Sequence, residues 1–345
     1  MFMEDMPSRS EMHQEAPKGK GPKGNGPKKK HPVRNTILII IAVLFVGTAA
    51  FAARTYFNAK NAANTVYQSS GIKKSRNTSA ALNSKKPISI LLLGTDTGAL
   101  GRNYKGRTDT LILATINPKT KTTTLMSLPR DSEVAVSGFE QDFPTKLNAA
   151  YAYGSAGTTI KTVQKWLNVP IDYYALINMG GMKKVVNEIG GVDITPIRSF
   201  TYAGYTFTKG QKTHMDGAKA LAYSRMRYDD PLGDYGRQQR QRQLITTIIG
   251  ESTNATNLIK QDFMKSIAKE TRTDLTFSDL TTLVSKYRDA TKNVVSDHAQ
   301  GTGKMISGQS FEVISQTEKQ RVTNVLRKSL DLKAAKTGEK YANQN

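Results

Sequence analysis

Pro87–Asp96, PISILLLGTD, opens the folded part of the chain and sets its class. Ile88–Leu93 is a short aliphatic run stopped by Gly94, as a buried strand requires. Two further runs read the same way, Thr110–Ile116 (TLILATI) and Thr122–Leu128 (TTTLMSL), joined by a turn around Asn117–Lys119. Helical apolar spacing appears at Ile160–Leu167 and Met182–Ile189. Ile171–Ile177 and Val192–Thr195 read as strands, and Phe200–Thr208 as a hairpin arm or edge. Ala218–Tyr223, Arg237–Gly250 and Leu258–Lys269 read as helices. This alternation predicts a layered α/β domain around a central mixed sheet. Past Glu251, helical patterns recur at Phe277–Tyr287 and Glu318–Leu330, with a strand pair around Gly303–Ile314. The expected division is a core over residues 87–250, a helical part over 251–333 packed on it, and a frayed tail over 334–345.

Upstream, residues 36–53 (TILIIIAVLFVGTAAFAA) carry no charge over 18 residues, about the minimum for a membrane-spanning helix. Pro17–Arg34 before them holds Lys18, Lys20, Lys23, Lys28, Lys29, Lys30 and Arg34 and no acid. Its Gly and Pro punctuation predicts a disordered basic tail over 1–34. The positive-inside rule then keeps the N-terminus in the cytoplasm and exports the chain beyond the anchor at 35–54. A cleaved signal peptide is the alternative, since Ala49–Ala53 is rich in small residues. The polar stretch over 55–86 reads as a linker in which Ala62–Tyr67 briefly extends the helix.

The absence of cysteine rules out disulfides and thiol chemistry. Eight basic and four acidic residues precede residue 54, so +18 of the +22 formal charge belongs to the rest. Such a domain seeks polyanions. The predicted topology makes these phospholipid head groups, teichoic-type polymers or lipid pyrophosphates, with no nucleic-acid partner expected.

Chemistry concentrates in Ala222–Leu244, AYSRMRYDDPLGDYGRQQRQRQL. Arg225, Arg227, Arg237, Arg240 and Arg242 surround Asp229, Asp230 and Asp234. Arginines converging from a loop and a helix start suit a phosphate or pyrophosphate, because guanidinium offers forked donors. Arg237 and Gln241 share a helix face; Arg242 points elsewhere and is expected to be dispensable. Asp and Arg also recur where three strands begin or end: Asp96 in LLLGTD, Arg107 and Asp109 in GRTDT, Arg130 and Asp131 in SLPRDS. Asp96 and Asp109 with substrate phosphates would make a magnesium site, since Mg²⁺ rarely uses an all-protein cage; each Asp alone would equally cap a turn. Lys146, opening a helical stretch in TKLNAAY, could reach a phosphate. The scattered histidines give no triad or zinc site. GTGK at 301–304 has His298 where a phosphate loop needs glycine, and Met305 where it needs Ser or Thr.

In this order, LLLGTD, GRTDTL, SLPRDS, KLNAAYAYG, GGVDI and YSRMRYDDPLGDYGRQQRQ closely resemble the LytR–CpsA–Psr family of cell-wall glycopolymer ligases. The likeness is dense over Pro87–Gly250 and weaker beyond Glu251. It implies an α-β-α sandwich around a mixed sheet, with a hydrophobic pocket for a prenyl chain. It also implies a single-pass membrane phosphotransferase acting outside the cytoplasm. The enzyme would move a glycopolymer from a polyprenyl-pyrophosphate carrier to a peptidoglycan sugar hydroxyl through a phosphodiester. A lipid-pyrophosphate phosphatase and a membrane-tethered transcriptional attenuator are the alternatives. Asp96 and Asp109 match the family's Mg²⁺-linked carboxylates, with Mn²⁺ as a substitute. Arg130, Arg225 and Arg227, with Asp234, are assigned to catalysis; Arg107, Lys146, Arg237, Arg240 and Gln241 to holding the pyrophosphate. Asp234 either helps the acceptor lose its proton or holds Arg237 or Arg240 in place. Val163, Trp166, Leu167 and Met182 either line the lipid pocket or are ordinary core.

Overall fold

The computed structural model describes residues 53–96, 106–251 and 261–338. The basic tail and all but the end of the proposed anchor lie outside these residues. Among the described residues no helix is long and apolar enough to cross a membrane.

The elements run α1 (53–66), α2 (Thr78–Asn83), β1 (Ile88–Thr95), β2 (Thr108–Asn117), β3 (Thr122–Ser127), β4 (Glu133–Val134), β5 (Thr145–Lys146) and α3 (Ala149–Leu167). Then come β6 (Tyr173–Asn178), α4 (Met179–Glu188), β7 (Val192–Ile194), the hairpin β8 (Phe200–Tyr202) and β9 (Tyr205–Phe207), β10 (Thr213–Met215), α5 (Gly217–Arg225) and α6 (Asp234–Glu251). The chain continues through α7 (Gln261–Ile267), β11 (Thr271–Thr273), α8 (Phe277–Lys286), β12 (Asn293–His298), the hairpin β13 (Thr302–Ile306) and β14 (Gln309–Val313), and α9 (Gln316–Ser329).

The central sheet has the order β11-β6-β1-β2-β3-β12. β1 is parallel to β6 and β3 to β12, while the other contacts are antiparallel, so the expected mixed sheet is present. Both faces are covered, which is why β1 reads as an unbroken aliphatic run. Leu91 and Leu93 pack with Leu111, Leu113 and Met126 against α3 and α9. The alternate residues Ile88 and Ile90 join Tyr173, Leu275 and Tyr287, and Ile112 and Leu125 meet Ile245 of α6. A third cluster joins α4, α5 and α6 to β7–β10 through Val186, Phe207, Tyr223 and Leu244.

Three expected boundaries change. The part over 251–333 does more than pack helices on the core, because β11 and β12 form the two edges of the central sheet. The linker over 55–86 is folded onto the domain. Ala59, Ala62, Ala63 and Val66 bury against Phe263, Ile267 and Phe277; Arg76 pairs with the fully buried Asp172, and Lys74 with Asp274. Polar composition suggested a tether, but these cations have buried carboxylate partners, and a buried charge needs one. The tail is ordered as far as Gly338: Thr337 N donates to Gln320 Oε1 at 2.9 Å, and Lys319 Nζ to the Gly338 carbonyl at 2.9 Å.

Candidate functional site

β1, β3, β6 and β12 run in one direction, so their carboxyl ends share one edge of the sheet with the start of β2. Such edges are where α/β sheets receive ligands. The β1–β2 ladder is regular from Ile88↔Ile116 to Gly94↔Thr110 and then shifts to Thr95↔Thr108. Asp109 is the residue passed over. It forms a β-bulge, a device that re-aims a side chain at a strand end. Asp96 lies one residue beyond β1 at the same edge. Arg107 is exposed just before β2, and its carbonyl accepts from Thr95 Oγ1 at 3.3 Å.

β3 leaves the sheet through Pro129, whose carbonyl accepts from Ser132 N at 3.0 Å and Ser132 Oγ at 2.7 Å. This tight turn presents Arg130 and Asp131. The amides of Leu147 and Asn148 bond the carbonyls of Ser132 and Arg130, both at 2.9 Å, which brings the Lys146 segment alongside. Arg130 Nη1 donates to Asp109 Oδ1 at 2.6 Å, while its Nε lies 3.4 Å from Asp131 and 3.7 Å from Asp234. Lys146 Nζ is 3.3 Å from Asp131 Oδ1 and 5.7 Å from the centroid of the Phe311 ring.

The first turn of α6 completes the cluster. Arg237 Nη2 is 2.6 Å from Asp234 Oδ1 and donates to the Asp109 carbonyl at 3.2 Å; Gln238 Nε2 donates to Asp234 Oδ2 at 2.9 Å. Asp234 is thus ion-paired with Arg237 and not with Arg240. Burial lowers the pKa of Arg237, and the charges of Arg130 and Arg227 push it the same way against Asp234 and Asp109. Burial also opposes the charge on Arg130, but Asp109, Asp131 and Asp234 more than offset it and raise that pKa. The Nε atoms of both arginines are buried without a hydrogen-bond partner. Crowded cations with unmatched donors make a site that an anion would relieve.

Two arginines depart from what the sequence predicts. Arg240 is fully buried and does not face a ligand. It pairs with Asp230, donates from Nε to the Tyr223 carbonyl at 3.1 Å, and from Nη2 to the Met226 carbonyl. Its role is to pin the α5–α6 loop. A Cβ on Gly236 would fall 2.0 Å from Asp230 Oδ2, so the helix can start against this carboxylate only with glycine there. Arg242 is not dispensable surface either: it is buried, and its Nη1 donates to Ser127 Oγ at 2.7 Å. Burial lowers its pKa.

Arg225 ends α5 and Arg227 follows the buried Met226, both half-buried; Gln241 is half-buried on α6. Arg227 reaches the cluster electrostatically through Arg237. Val163, Trp166 and Leu167 belong to the main core, and Met182 packs on the third cluster. Sequence reasoning missed the β13–β14 hairpin as a support. Glu312 N donates to the Asp131 carbonyl at 2.9 Å, and Tyr235 Oη, which accepts from Gly301 N at 2.7 Å, donates to Glu312 Oε1 at 2.6 Å. Nothing in the local sequence links residues so far apart. Among the described residues no three His, Cys, Asp or Glu side chains gather as a metal cage.

The LytR_cpsA_psr family model matches residues 53–328. A relative from Enterococcus faecalis, the polyisoprenyl-teichoic acid–peptidoglycan teichoic acid transferase TagU, is 41% identical over 295 residues, covering 85% of this chain and 96% of its own. The Bacillus subtilis protein of that name is 37% identical over 304 residues, with 88% and 97% covered. Among solved structures, an Enterococcus faecalis protein described as a transcriptional regulator superposes with a TM-score of 0.66 at 35% identity, covering 74% of this chain and 91% of its own. TagT bound to LIIa-WTA gives a TM-score of 0.63 at 27% identity, with 77% and 100% covered.

Proposed function

This chain belongs to the LytR_cpsA_psr family, and we propose that it transfers a glycopolymer from a polyprenyl-pyrophosphate carrier to a sugar hydroxyl of peptidoglycan. The observation that carries this reading is the buried Arg237 beside Arg130, each with an Nε lacking a hydrogen-bond partner. In phosphoryl transfer the protein's work is positioning and charge neutralisation. Arg130 and Arg237 would grip the pyrophosphate oxygens, with Arg225, Arg227 and Arg107 adding charge and Lys146 completing the rim. Asp109 and Asp234 keep the two gripping guanidinium groups aimed. The acceptor oxygen forms a bond to the phosphorus carrying the glycopolymer, the bond to polyprenyl phosphate breaks, and the hydroxyl proton is released to the medium.

Asp96, one residue past β1, and Asp109, in the bulge at the start of β2, would hold one divalent cation at this edge. Arg130 takes only Oδ1 of Asp109, leaving Oδ2 for a metal, and two carboxylates plus substrate oxygens suit Mg²⁺, with Mn²⁺ as a substitute. When bound, the ion would neutralise phosphate charge. We further propose a single membrane pass over 35–54 with the catalytic domain outside the cytoplasm, supported by the uncharged run at 36–53 and its basic lead.

The test incubates the full chain with lipid-linked glycopolymer, peptidoglycan fragments and Mg²⁺, and tracks products by mass spectrometry. The expected product is the phosphodiester-joined polymer. Acceptor-independent release of glycan phosphate as the sole product would make the enzyme a pyrophosphatase; intact donor would reject both.

A further inference from the structure

The loop over 226–233, between α5 and α6, combines rigid mounting with an exposed aromatic ring. Asp230 is held by buried Arg240; Leu232 N donates to Asp230 Oδ1 at 2.9 Å, and Gly233 N to the Asp230 carbonyl at 2.7 Å. Met226 is buried at the loop's base. Yet Tyr228 is 83% exposed and Leu232 60%. The Arg227 guanidinium lies 5.2 Å from the Tyr228 centroid, a cation–π contact that orients the ring beside the arginine cluster. Exposed Asp229 is the next residue.

Resting on the transferase reading above, we infer that Tyr228 is the stacking platform for a pyranose ring of the acceptor glycan, with Asp229 receiving its hydroxyls. A sugar's C–H face carries slight positive charge and meets the negative face of an aromatic ring, while a carboxylate accepts from sugar hydroxyls. The acceptor is favoured over the donor because, on the transferase reading, the donor is already held through its pyrophosphate by Arg130 and Arg237. The acceptor arrives from solvent as a strand, and an open platform on a fixed loop lets a strand run across where a closed pocket would demand its end.

The test uses the full chain in phospholipid nanodiscs, with lipid-linked glycopolymer as donor and soluble, uncrosslinked peptidoglycan strands as acceptor. Tyr228→Ala should raise the acceptor KM about tenfold while kcat and the donor KM stay within about twofold; Tyr228→Phe and Tyr228→Trp should keep the parent acceptor KM. An unchanged acceptor KM in Tyr228→Ala, a rise confined to the donor KM, or a Phe variant as impaired as the Ala variant would each overturn the assignment. Saturation-transfer NMR of the strands against parent and Tyr228→Ala decides the platform even if the parent transfers nothing. Loss of sugar signal in the variant supports it, and equal signal, or none from either protein, rejects it.

Discussion

Replacing Arg240 with alanine separates a ligand-binding arginine from a structural one. The Arg240 side chain has no exposed surface, and that of its partner Asp230 is 3% exposed. Removing one member of a buried ion pair costs about 3–5 kcal/mol, because the other charge stays buried without a partner. The Tyr223 and Met226 carbonyls lose donors as well, so the upper half of that range is expected. Since 1 kcal/mol shifts the melting temperature of a domain this size by roughly 2–4 °C, the transition should fall by roughly 10 °C. The assay is denaturant and thermal unfolding of parent and Arg240→Ala, repeated across acidic pH. Burial alone would raise the Asp230 pKa, but the bonds from Arg240 and Leu232 N hold it below the ordinary aspartate value. A depressed carboxyl pKa stabilises the fold fully above the unfolded value, and that stabilisation is lost as pH falls through the lower folded value. The stability gap between parent and variant should therefore begin to narrow as pH falls below about 4, leaving the part due to the two carbonyls. An Arg240→Ala protein as stable as the parent but inactive would refute the reasoning and return Arg240 to the substrate.

Arg130→Ala and Arg237→Ala should each lower turnover on lipid-linked substrate by about 10²–10³, the loss typical of one preorganised charge-stabilising group. Lysine at either position should rescue poorly for want of the forked geometry; turnover within a few-fold of parent would move the site elsewhere. Asp96→Ala and Asp109→Ala should stay folded and lose most activity, with Mg²⁺ binding in the parent much tighter when a pyrophosphate ligand is present. Calorimetry with and without that ligand checks this, and unchanged Mg²⁺ dependence in both variants removes the metal assignment. A reporter active only outside the cytoplasm should work when fused after Asn345, whereas activity of a cytoplasm-only reporter there would reverse the topology.

The fold was most legible where burial on both faces leaves no choice of residue. β1 to β3 announce themselves as aliphatic runs because helices cover each side. The edge strands β11 and β12 did not: Thr271–Thr273 is three residues long, and Asn293–His298 is largely exposed. Such strands are specified by the neighbour they pair with, so the long-range register Val294↔Thr123 has no local trace. The same reason hides the ordered segment over 68–86. Its cations look solvated until Asp172 and Asp274 are brought beneath them from more than 90 residues away.

The site divides along a similar line. Motifs at strand ends pointed to Asp109 and Arg130, because the sheet edge is common to all the strands that lead to it, whereas Lys146 was read as the start of a helix and lies in β5. The helix carrying Arg237, Arg240 and Arg242 was harder to read, since α6 is buried on more than one side. Leu244 faces the third cluster while Ile245 meets the sheet. Arg242 lies four residues from Gln238 and three from Ile245, and that shared face turns it toward Ser127. Arg240 turns instead into the loop that carries Asp230. When a helix meets protein on more than one face, periodicity cannot say which arginine points to a ligand; only the partner oxygens can. Arg240 spends its donors on Asp230 and two carbonyls. Arg130, Arg237 and Arg242 each keep a buried Nε without a hydrogen-bond partner. Arg242, however, gives Nη1 to Ser127, whereas Arg130 and Arg237 share Asp234 and Asp109 at the sheet edge. That grouping separates the grip on the anion from the pin of the loop.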